Sequence, residues 1–162
     1  DTIDNNVDSF SDIKPEPKEM KFSTKGRYAT RGMLELALHY GEGPVLLKDI
    51  ARRQEIPARY LEQLLIPLKR AGLVRSARGV RGGFMLAKSP SQIRLIDVLQ
   101  LSEGLLAPVE CTTSAALCPR ADLCATRDIW MEMEKAMRAV LESTSLQDLV
   151  ERQRTKGNPI MS

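Results

Sequence analysis

Residues 58–71 constrain the fold more than any other stretch, because their apolar side chains recur at helical spacing. Four leucines at positions i, i+3, i+4 and i+7 form one apolar stripe, namely Leu61, Leu64, Leu65 and Leu68. Polar and basic side chains occupy the opposite face. Gly72 follows directly, at a position where the end of a helix often needs a positive φ angle. The pattern predicts a helix with one buried face and one face that is open to solvent or to a partner.

A shorter amphipathic run precedes this helix and is joined to it by a tight turn. Residues 47–54 place Ile50 and Ala51 among charged side chains, and residues 55–57 form the turn. Two short helices joined in this way are typical of a helix-turn-helix, which lays its second helix in the major groove of DNA. Two core helices of any small bundle would give the same pattern, so this stretch alone leaves both interpretations open.

A predicted hairpin follows the second helix and favours DNA binding. Residues 72–76 and 84–88 are strand-like runs, and the glycine-rich residues 77–83 join them. Arg78 and Arg81 lie in this tip, where they suit entry into a minor groove or contact with phosphates. A solvated turn with incidental charge is the alternative. Helix, turn, helix and a two-stranded wing together predict a winged-helix DNA-binding domain.

Charge is distributed unevenly along the chain. Residues 20–88 contain 14 Lys and Arg against five acidic residues, whereas the segments before and after them carry net negative charge. The excess of positive charge therefore lies on the segment that we expect to bind DNA, as a polyanionic partner requires. A basic patch by itself would also suit an acidic protein or a lipid surface.

Several classes of protein are disfavoured by the composition. No apolar window has the length of a membrane span and no secretion signal is present, so we expect a cytoplasmic protein with no membrane partner. The chain has one His, no phosphate-cradling motif and no nucleophile with a recognisable base. We therefore do not expect an enzyme.

We expect five segments along the chain, which differ in composition and pattern. They are a disordered extension or expression remnant (1–19), a winged-helix DNA-binding domain (20–104), a cysteine loop (105–120), dimerisation helices (121–155) and a tail (156–162). Inside the winged-helix domain the sequence predicts a first helix capped by Ser23 or Thr24, and a fourth helix over residues 89–103. Lys and Arg crowd the start of the first helix, which would suit a phosphate there.

Residues 121–142 contain neither Gly nor Pro and predict a long helix. Its apolar stripe consists of Ile129, Met133, Ala136, Met137 and Val140. Met-rich faces suit contact between helices, so we expect this helix to join two copies of the chain. Two-fold symmetry would then place two recognition helices about one DNA turn apart, ~34 Å. The alternative is a helix that packs only on its own domain.

Three cysteines, Cys111, Cys118 and Cys124, lie within fourteen residues. Their spacing matches neither a zinc-finger pair nor a thioredoxin motif. Three thiolates in a loop that leads into a helix suit an iron–sulfur cluster, which normally has four protein ligands. The dipole of the long helix would favour the thiolate form of Cys124. A redox pair with one spare thiol, a three-cysteine zinc site and plain small residues are the alternatives.

These motifs occur in one chain together with several further short segments. They are the segment KFSTKGRYATRGMLELAL, Pro44, Asp49-Ile50-Ala51, Tyr60-Leu61-Glu62-Gln63-Leu64, Gly72-Leu73-Val74, the wing glycines, the three cysteines and Trp130. In this combination residues 20–154 resemble the Rrf-type family of bacterial winged-helix transcription regulators, the IscR, NsrR and CymR group. The resemblance is closest to the IscR-like branch, because Lys25-Gly26-Arg27-Tyr28 and the three cysteines occur together.

The resemblance implies a mainly α fold with a small β wing, and a homodimer on a partly palindromic DNA operator. It implies that Cys111, Cys118 and Cys124 hold an iron–sulfur cluster, 2Fe–2S rather than 4Fe–4S, that sets operator affinity. It also implies that Tyr60, Glu62 and Gln63 read bases from the recognition helix and that Arg78 of the wing enters the minor groove, while Arg59 stands where that branch often has Ser. Together with the basic start of the first helix and the second wing arginine, the candidates for DNA contact are Lys25, Tyr28, Arg59, Tyr60, Glu62, Gln63, Arg78 and Arg81.

The fourth cluster ligand departs from the family pattern. IscR-like members usually have a His three residues after the last cysteine, where this chain has Arg127, which stays protonated and cannot bind a metal. NsrR-like members use a carboxylate on the first helix, where this chain has Arg27. Asp128, Glu110, an external thiol or water remain as candidates, so the sequence predicts a labile cluster or one whose fourth ligand it does not identify.

Three other functions fit the same sequence. A DNA-binding regulator with a thiol switch or a zinc site would use the cysteines without a cluster. A partner protein would carry the signal in a CymR-like regulator, although CymR-like members lack these cysteines. A winged helix that binds protein would have no salt-dependent affinity for DNA.

Overall fold

The computed structural model describes residues 22–104 and 106–157, which form a mainly helical domain with one small sheet. The α-helices of this part of the chain are α1 (Thr24–Leu38), α2 (Leu47–Gln54), α3 (Ala58–Arg70), α4 (Leu95–Glu103), α5 (Glu110–Thr113), α6 (Ala125–Ser143) and α7 (Leu146–Thr155). The strands are β1 (Val74–Ala77) and β2 (Gly83–Leu86). The predicted extension, residues 1–19, and most of the predicted tail lie outside the described residues.

The core joins the first three helices to the wing, to α4 and to α7. The largest fully buried side chains are Met33, Leu36, Ile50, Leu61, Leu65, Leu68, Val74, Ile93, Val98 and Leu146. Burying one such side chain contributes about 1.5–3 kcal/mol. The leucine stripe of α3 is therefore a large share of what fixes this helix, and its prediction as the buried face is confirmed.

The turn between α2 and α3 is tight and fixes the angle between the two helices. Glu55 ends α2 with a φ of 53°, a left-handed conformation that is uncommon outside glycine. Its strain is offset by the next residue, because Ile56 is 3% exposed and its N–H donates to the carbonyl of Ala51 at 2.9 Å. At the other end of α3, Gly72 has the predicted positive φ, 75°.

The predicted wing is present as an antiparallel hairpin. Val74 pairs with Leu86 and Ala77 with Gly83, which leaves residues 78–82 as the tip. Val45 adds a bridge to Phe84 and ties the wing to the turn before α2. A Cβ atom at Gly83 would overlap the backbone of Val45, so this close approach requires glycine. The wing is thus anchored on both sides of its base.

The predicted fourth helix, residues 89–103, is wrong in its first half. Residues Pro90–Gln92 form a single 3₁₀ turn, and α4 begins only at Leu95. Between them, Arg94 bridges Ser145, and the N–H of Leu146 donates to the carbonyl of Ile93 at 2.9 Å. This pairing with a segment some fifty residues away holds the chain extended, and local helical preference does not overcome it.

The predicted long helix begins later than residue 121. Ala121–Leu123 form a 3₁₀ turn, Cys124 occupies the N-cap, and α6 has 19 residues, about 28 Å at 1.5 Å per residue. Among its side chains Leu141 is the buried one. No helix in the described ranges combines the length and the apolar character that a bilayer crossing requires.

Helix α7 packs into the core of its own chain. Leu146 is 0% exposed and Val150 2%, and both belong to the cluster formed by α1, α2 and α3. The sequence-based division grouped this helix with the dimerisation helices. In the structure its buried residues Leu146 and Val150 pack on the winged-helix core instead. The domain boundaries themselves stay a prediction.

Candidate nucleic-acid interface and cysteine loop

The outer face of α3 carries polar side chains that are free to meet a ligand. Arg59, Glu62 and Gln63 are exposed, while Tyr60 is half-buried. The leucine stripe of the same helix faces the core and so directs these groups outward. Side chains of these types, when presented by one helix, can donate to and accept from base edges in a major groove.

Tyr60 is supported from behind by α1. Its ring meets the ring of Tyr28 edge to face, with 6.0 Å between centroids and 73° between planes. The guanidinium of Arg31 lies over the Tyr28 ring, 5.6 Å from its centroid. Arg31 also donates to the side-chain and main-chain oxygens of Gln54 at the end of α2. Tyr28 therefore links α1 to α3 directly and, through Arg31, to α2.

A buried carboxylate fixes α2 on α1. Glu35 is 4% exposed, and it accepts from Arg53 Nη1 at 2.9 Å and from Gln54 Nε2 at 2.8 Å. His39 Nε2 lies 3.2 Å from the same carboxylate. Because an unpaired buried charge is costly, this cluster holds the two helices in one relative position. No sequence motif predicts this cluster, and an acid among the apolar residues of α1 is its one local signal.

Residues 78–81 of the wing tip are exposed. Arg78 and Arg81 are exposed, and Val80 between them is 99% exposed. Gly79 has a φ of 101°, which a side chain would rarely adopt. The tip thus presents two cations on a narrow turn, the shape and charge that a groove or a phosphate backbone accepts.

The start of α1 is capped by Glu103 of α4, and not by the side chain of Ser23 or Thr24 as the sequence predicts. The Ser23 side chain makes no cap of its own, because its hydroxyl donates to Glu103 Oε1 at 2.7 Å. The N–H of Gly26 donates to the same oxygen at 3.0 Å. Lys25 stays exposed beside this contact. A cavity of about 440 Å³ opens there, lined by Ser23, Thr24, Lys25, Tyr60, Ser102 and Glu103.

In the structure the predicted cysteine loop extends past residue 120 to the start of α6, and with Cys124 at its end it carries three free thiols, each partly exposed. Cys124 lies at the N-cap of α6, with its Sγ 3.1 Å from the hydroxyl of Thr126. The hydrogen bond from Thr126, followed by one from the backbone of Arg127, holds the pKa of the Cys124 thiol below its ordinary value. Arg127 reaches back across the loop, and its Nε donates to the carbonyl of Cys111 at 3.0 Å.

The thiols fit an iron–sulfur cluster by type but not by their present arrangement. Thiolates are the usual ligands of such clusters, and the lowered pKa of Cys124 favours its thiolate form. Across residues 22–104 and 106–157, however, no three His, Cys, Asp or Glu side chains lie together as a metal-binding group. The loop would have to bring Cys111, Cys118 and Cys124 closer before they held one ion or cluster.

The structure brings some candidate residues together and leaves others on separate elements. Lys25 and Tyr60 line one cavity, and Tyr28 touches Tyr60. The wing arginines extend from a different turn, and the cysteines lie beyond α4. Arg31 and Glu103 were not among the candidates. Their positions depend on contacts between distant segments, which no local pattern reveals. The roles of the individual residues stay predictions.

Comparison with known proteins identifies one family. A family model described as "Rrf2: Iron-dependent Transcriptional regulator" matches residues 22–152. Protein rrf2 of Nitratidesulfovibrio vulgaris is 44% identical over 131 residues, which cover 81% of this chain and 87% of that protein.

Solved structures agree with this assignment. CymR, the global cysteine regulator of B. subtilis, superimposes with a TM-score of 0.73 at 41% identity, covering 83% of this chain and 99% of that one. IscR of T. potens gives a TM-score of 0.69 at 38% identity, covering 85% of this chain and 91% of that one. The chain therefore belongs to the Rrf2 family of DNA-binding winged-helix transcription regulators, and it is not an enzyme.

Proposed function

We propose that this chain is a dimeric transcription regulator whose affinity for its operator is set by an iron–sulfur cluster at Cys111, Cys118 and Cys124. The observation that carries the proposal is the exposed polar face of α3, backed by Tyr28 and flanked by the exposed Lys25. We propose that the protein acts in the cytoplasm, where a bacterial regulator binds DNA.

DNA recognition would divide between three elements. Arg59, Glu62 and Gln63 of α3 would meet base edges in the major groove, because they are exposed on one helix face. Arg78 and Arg81 of the wing would enter the adjacent minor groove or bind its phosphates. Lys25 and Tyr28 at the start of α1 would contact the backbone and set the register. The half-buried Tyr60 would join the base-reading residues of α3.

The cluster would be held by the three loop cysteines, as a 2Fe–2S rather than a 4Fe–4S group. Bound there, it would make the protein sensitive to oxidants and to iron supply. Two observations support this. The lowered pKa of Cys124 favours its thiolate over its thiol form, and the matching family model carries the description of an iron-dependent regulator. Arg127 would not be a ligand, but its bond to Cys111 would orient the loop toward α6.

Dimerisation would use α6. Ile129 is 52% exposed, Met133 39% and Val140 62%, and the three lie along one side of the helix. A row of exposed apolar side chains on one helix favours a partner surface, and a second copy supplies a matching one. Met133→Glu should therefore give monomers in sedimentation velocity. Lys135→Glu adds an acidic side chain on the opposite side of α6 and should leave the dimer intact.

The decisive experiment is purification without air, followed by a visible spectrum, iron and sulfide analysis, and DNA titration. We expect a coloured protein whose affinity for its operator differs between the loaded and metal-free forms. A protein that stays colourless and iron-free after reconstitution contradicts the cofactor. A protein that binds no duplex DNA in either form contradicts the proposed function as a whole.

A thiol switch without a cluster is the second candidate. It is favoured by the same lowered pKa of Cys124 and by the absence of a grouped metal site in the described residues. Thiol counts before and after peroxide, combined with metal analysis, separate the two functions. Loss of thiols with no metal present would support the switch.

A further inference from the structure

The first turn of α1 depends on one carboxylate from another helix. A helix leaves its first backbone N–H groups without partners, and α1 has no acidic residue in its own first turn to receive them. The first bond inside the helix runs from the N–H of Arg27 to the carbonyl of Ser23. The N–H of Gly26 is therefore an orphan, and Glu103 supplies its partner at 3.0 Å. The same oxygen holds the Ser23 hydroxyl at 2.7 Å.

Glu103 lies at the point where the DNA-binding domain passes into the cysteine loop. It is the last residue of α4, and Gly104 after it has φ 85° and ψ −135°, a conformation open to few residues other than glycine. Cys111 follows Glu103 by eight residues. A change in the path of the loop therefore acts first on the end of α4, where this side chain is attached.

The hydrogen bond from the Gly26 N–H to Glu103 depends on a small residue at position 26. A Cβ atom at Gly26 would overlap Oε1 of Glu103, so a larger residue would displace the carboxylate from the backbone here. On the other side of the contact lie Lys25 and Tyr60, which share its cavity, and Tyr28, which supports the Tyr60 ring. The start of α1 thus connects the end of α4 with the surface that we expect to meet DNA.

We propose that Glu103 is a positioning residue that transmits the state of the cysteine loop to the DNA-binding surface through its bonds to Ser23 and Gly26. This inference rests on the proposed function, since it names the route by which the loop acts on DNA. When the loop changes, the end of α4 shifts, the carboxylate loosens from α1, and Lys25, Tyr28 and Tyr60 change position together. The coupling is reciprocal, so DNA binding also acts on the loop.

The first test needs no DNA and no cluster. All three cysteines of the chain lie in this loop, so iodoacetamide alkylation changes the loop selectively. The readout is the hydrogen-exchange rate of the Gly26 amide, measured by NMR on the full chain. We expect alkylation of the wild type to speed this exchange fivefold or more, the lower end of typical couplings between sites. An unchanged rate overturns the proposal.

Variants separate transmission from mere stability. Glu103→Ala should speed Gly26 exchange by about tenfold before any alkylation, because a charge-assisted bond is lost, and alkylation should then add nothing. Glu103→Gln should restore the response, since its amide oxygen accepts the same two bonds. Glu151→Gln, an exposed acid on α7, removes an equal charge and should behave as wild type. A Glu103→Ala variant that still responds to alkylation overturns the proposal.

The second test adds DNA. The probe is a duplex selected from random-sequence DNA with the wild-type protein. The ratio of the affinities of reduced and alkylated protein for this duplex should differ from one in the wild type and in Glu103→Gln, and it should approach one in Glu103→Ala. Gly26→Ala should match Glu103→Ala, because it displaces the carboxylate without altering α4. If no form binds DNA while Gly26 exchange still responds through Glu103, the proposed function fails and the coupling stands. If DNA binding depends on the loop in every variant alike, the coupling fails and the function stands.

Discussion

The Glu35 carboxylate accepts a hydrogen bond from Arg53 Nη1 at 2.9 Å, and the Glu35 side chain is only 5% exposed. This ion pair joins α1 to α2. Through Gln54 the same carboxylate is linked to Arg31, and through Arg31 to the ring of Tyr28. The orientation of α3 therefore depends on a charged group in the core. Buried ion pairs of this kind stabilise little in themselves, but removal of one partner is costly.

Arg53→Ala should lower the free energy of unfolding by about 3 kcal/mol, because it leaves the Glu35 carboxylate buried with fewer partners. Urea unfolding of the full chain measures this. Arg52→Ala is the matched control, since Arg52 is 70% exposed and lies 3.8 Å from Asp49 on the surface. Equal effects of the two substitutions would show that the buried cluster has no special role.

Arg78→Ala should weaken DNA binding most at operators with A·T-rich flanks, where the minor groove is narrow. The slope of log affinity against log salt should fall by about one. Titrations against two operators that differ only in these flanks measure both quantities. Arg154→Ala, an exposed arginine on α7, serves as the control. A loss that is equal on both sequences would mean that Arg78 touches only phosphate.

Gln63→Ala should relax the preference for one base pair and cost ~1–3 kcal/mol at that position. The exposed amide of Gln63 lies on the outer face of α3, where it can pair with adenine. Binding to a library of operator variants reports this loss. Gln100→Ala on α4 removes the same exposed group elsewhere and should change nothing. Unchanged specificity of the Gln63 variant would place α3 outside the groove.

Thr126→Val should raise the pKa of the Cys124 thiol, because the hydroxyl that stabilises the thiolate is lost. Alkylation of Cys124 in metal-free protein should then need higher pH, with the rate profile shifted upward relative to wild type. Mass spectrometry of the modified peptide across a pH series measures it. Thr155→Val, whose hydroxyl bonds within α7, is the control. Coincident profiles would remove Thr126 as the cause.

Stability should fall in acid as the α7 cap is lost. The hydroxyl of Ser145, followed by its backbone N–H, holds the pKa of Asp148 below the ordinary 3.8. A lowered folded pKa means that the ionised form favours folding above pH 3.8, and this contribution disappears as pH falls through the folded value. Asp148→Asn should therefore be less stable than wild type at pH 7, and the difference should shrink below pH 3.8. Urea unfolding across pH, with Glu151→Gln as control, tests this.

The elements that the sequence predicts correctly are those with a local cause. The stripe of Leu61, Leu65 and Leu68 has helical period, and Gly72 ends the helix through its own backbone. The wing likewise follows from two short runs around a glycine-rich tip. Each of these patterns is complete within some fifteen residues.

The features that the sequence does not predict depend on distant partners. Residues 93–94 are held extended by the segment around Ser145, and α1 is capped by Glu103 from 77 positions along the chain. Glu35 lies in the core because Arg53 and Gln54 of another helix pair with it. Periodicity cannot report such contacts. The sequence thus predicts candidate surfaces, but it does not predict the contacts that link them.

The return of α7 to the core has a practical consequence. Leu146 and Val150 complete the hydrophobic interior that Met33 and Leu61 begin, although more than eighty residues separate them in sequence. A fragment truncated after Gly104 would expose that interior and aggregate, so residues 20–104 do not form a domain that can be transferred alone. Any chimera that borrows its specificity must carry the whole length to α7.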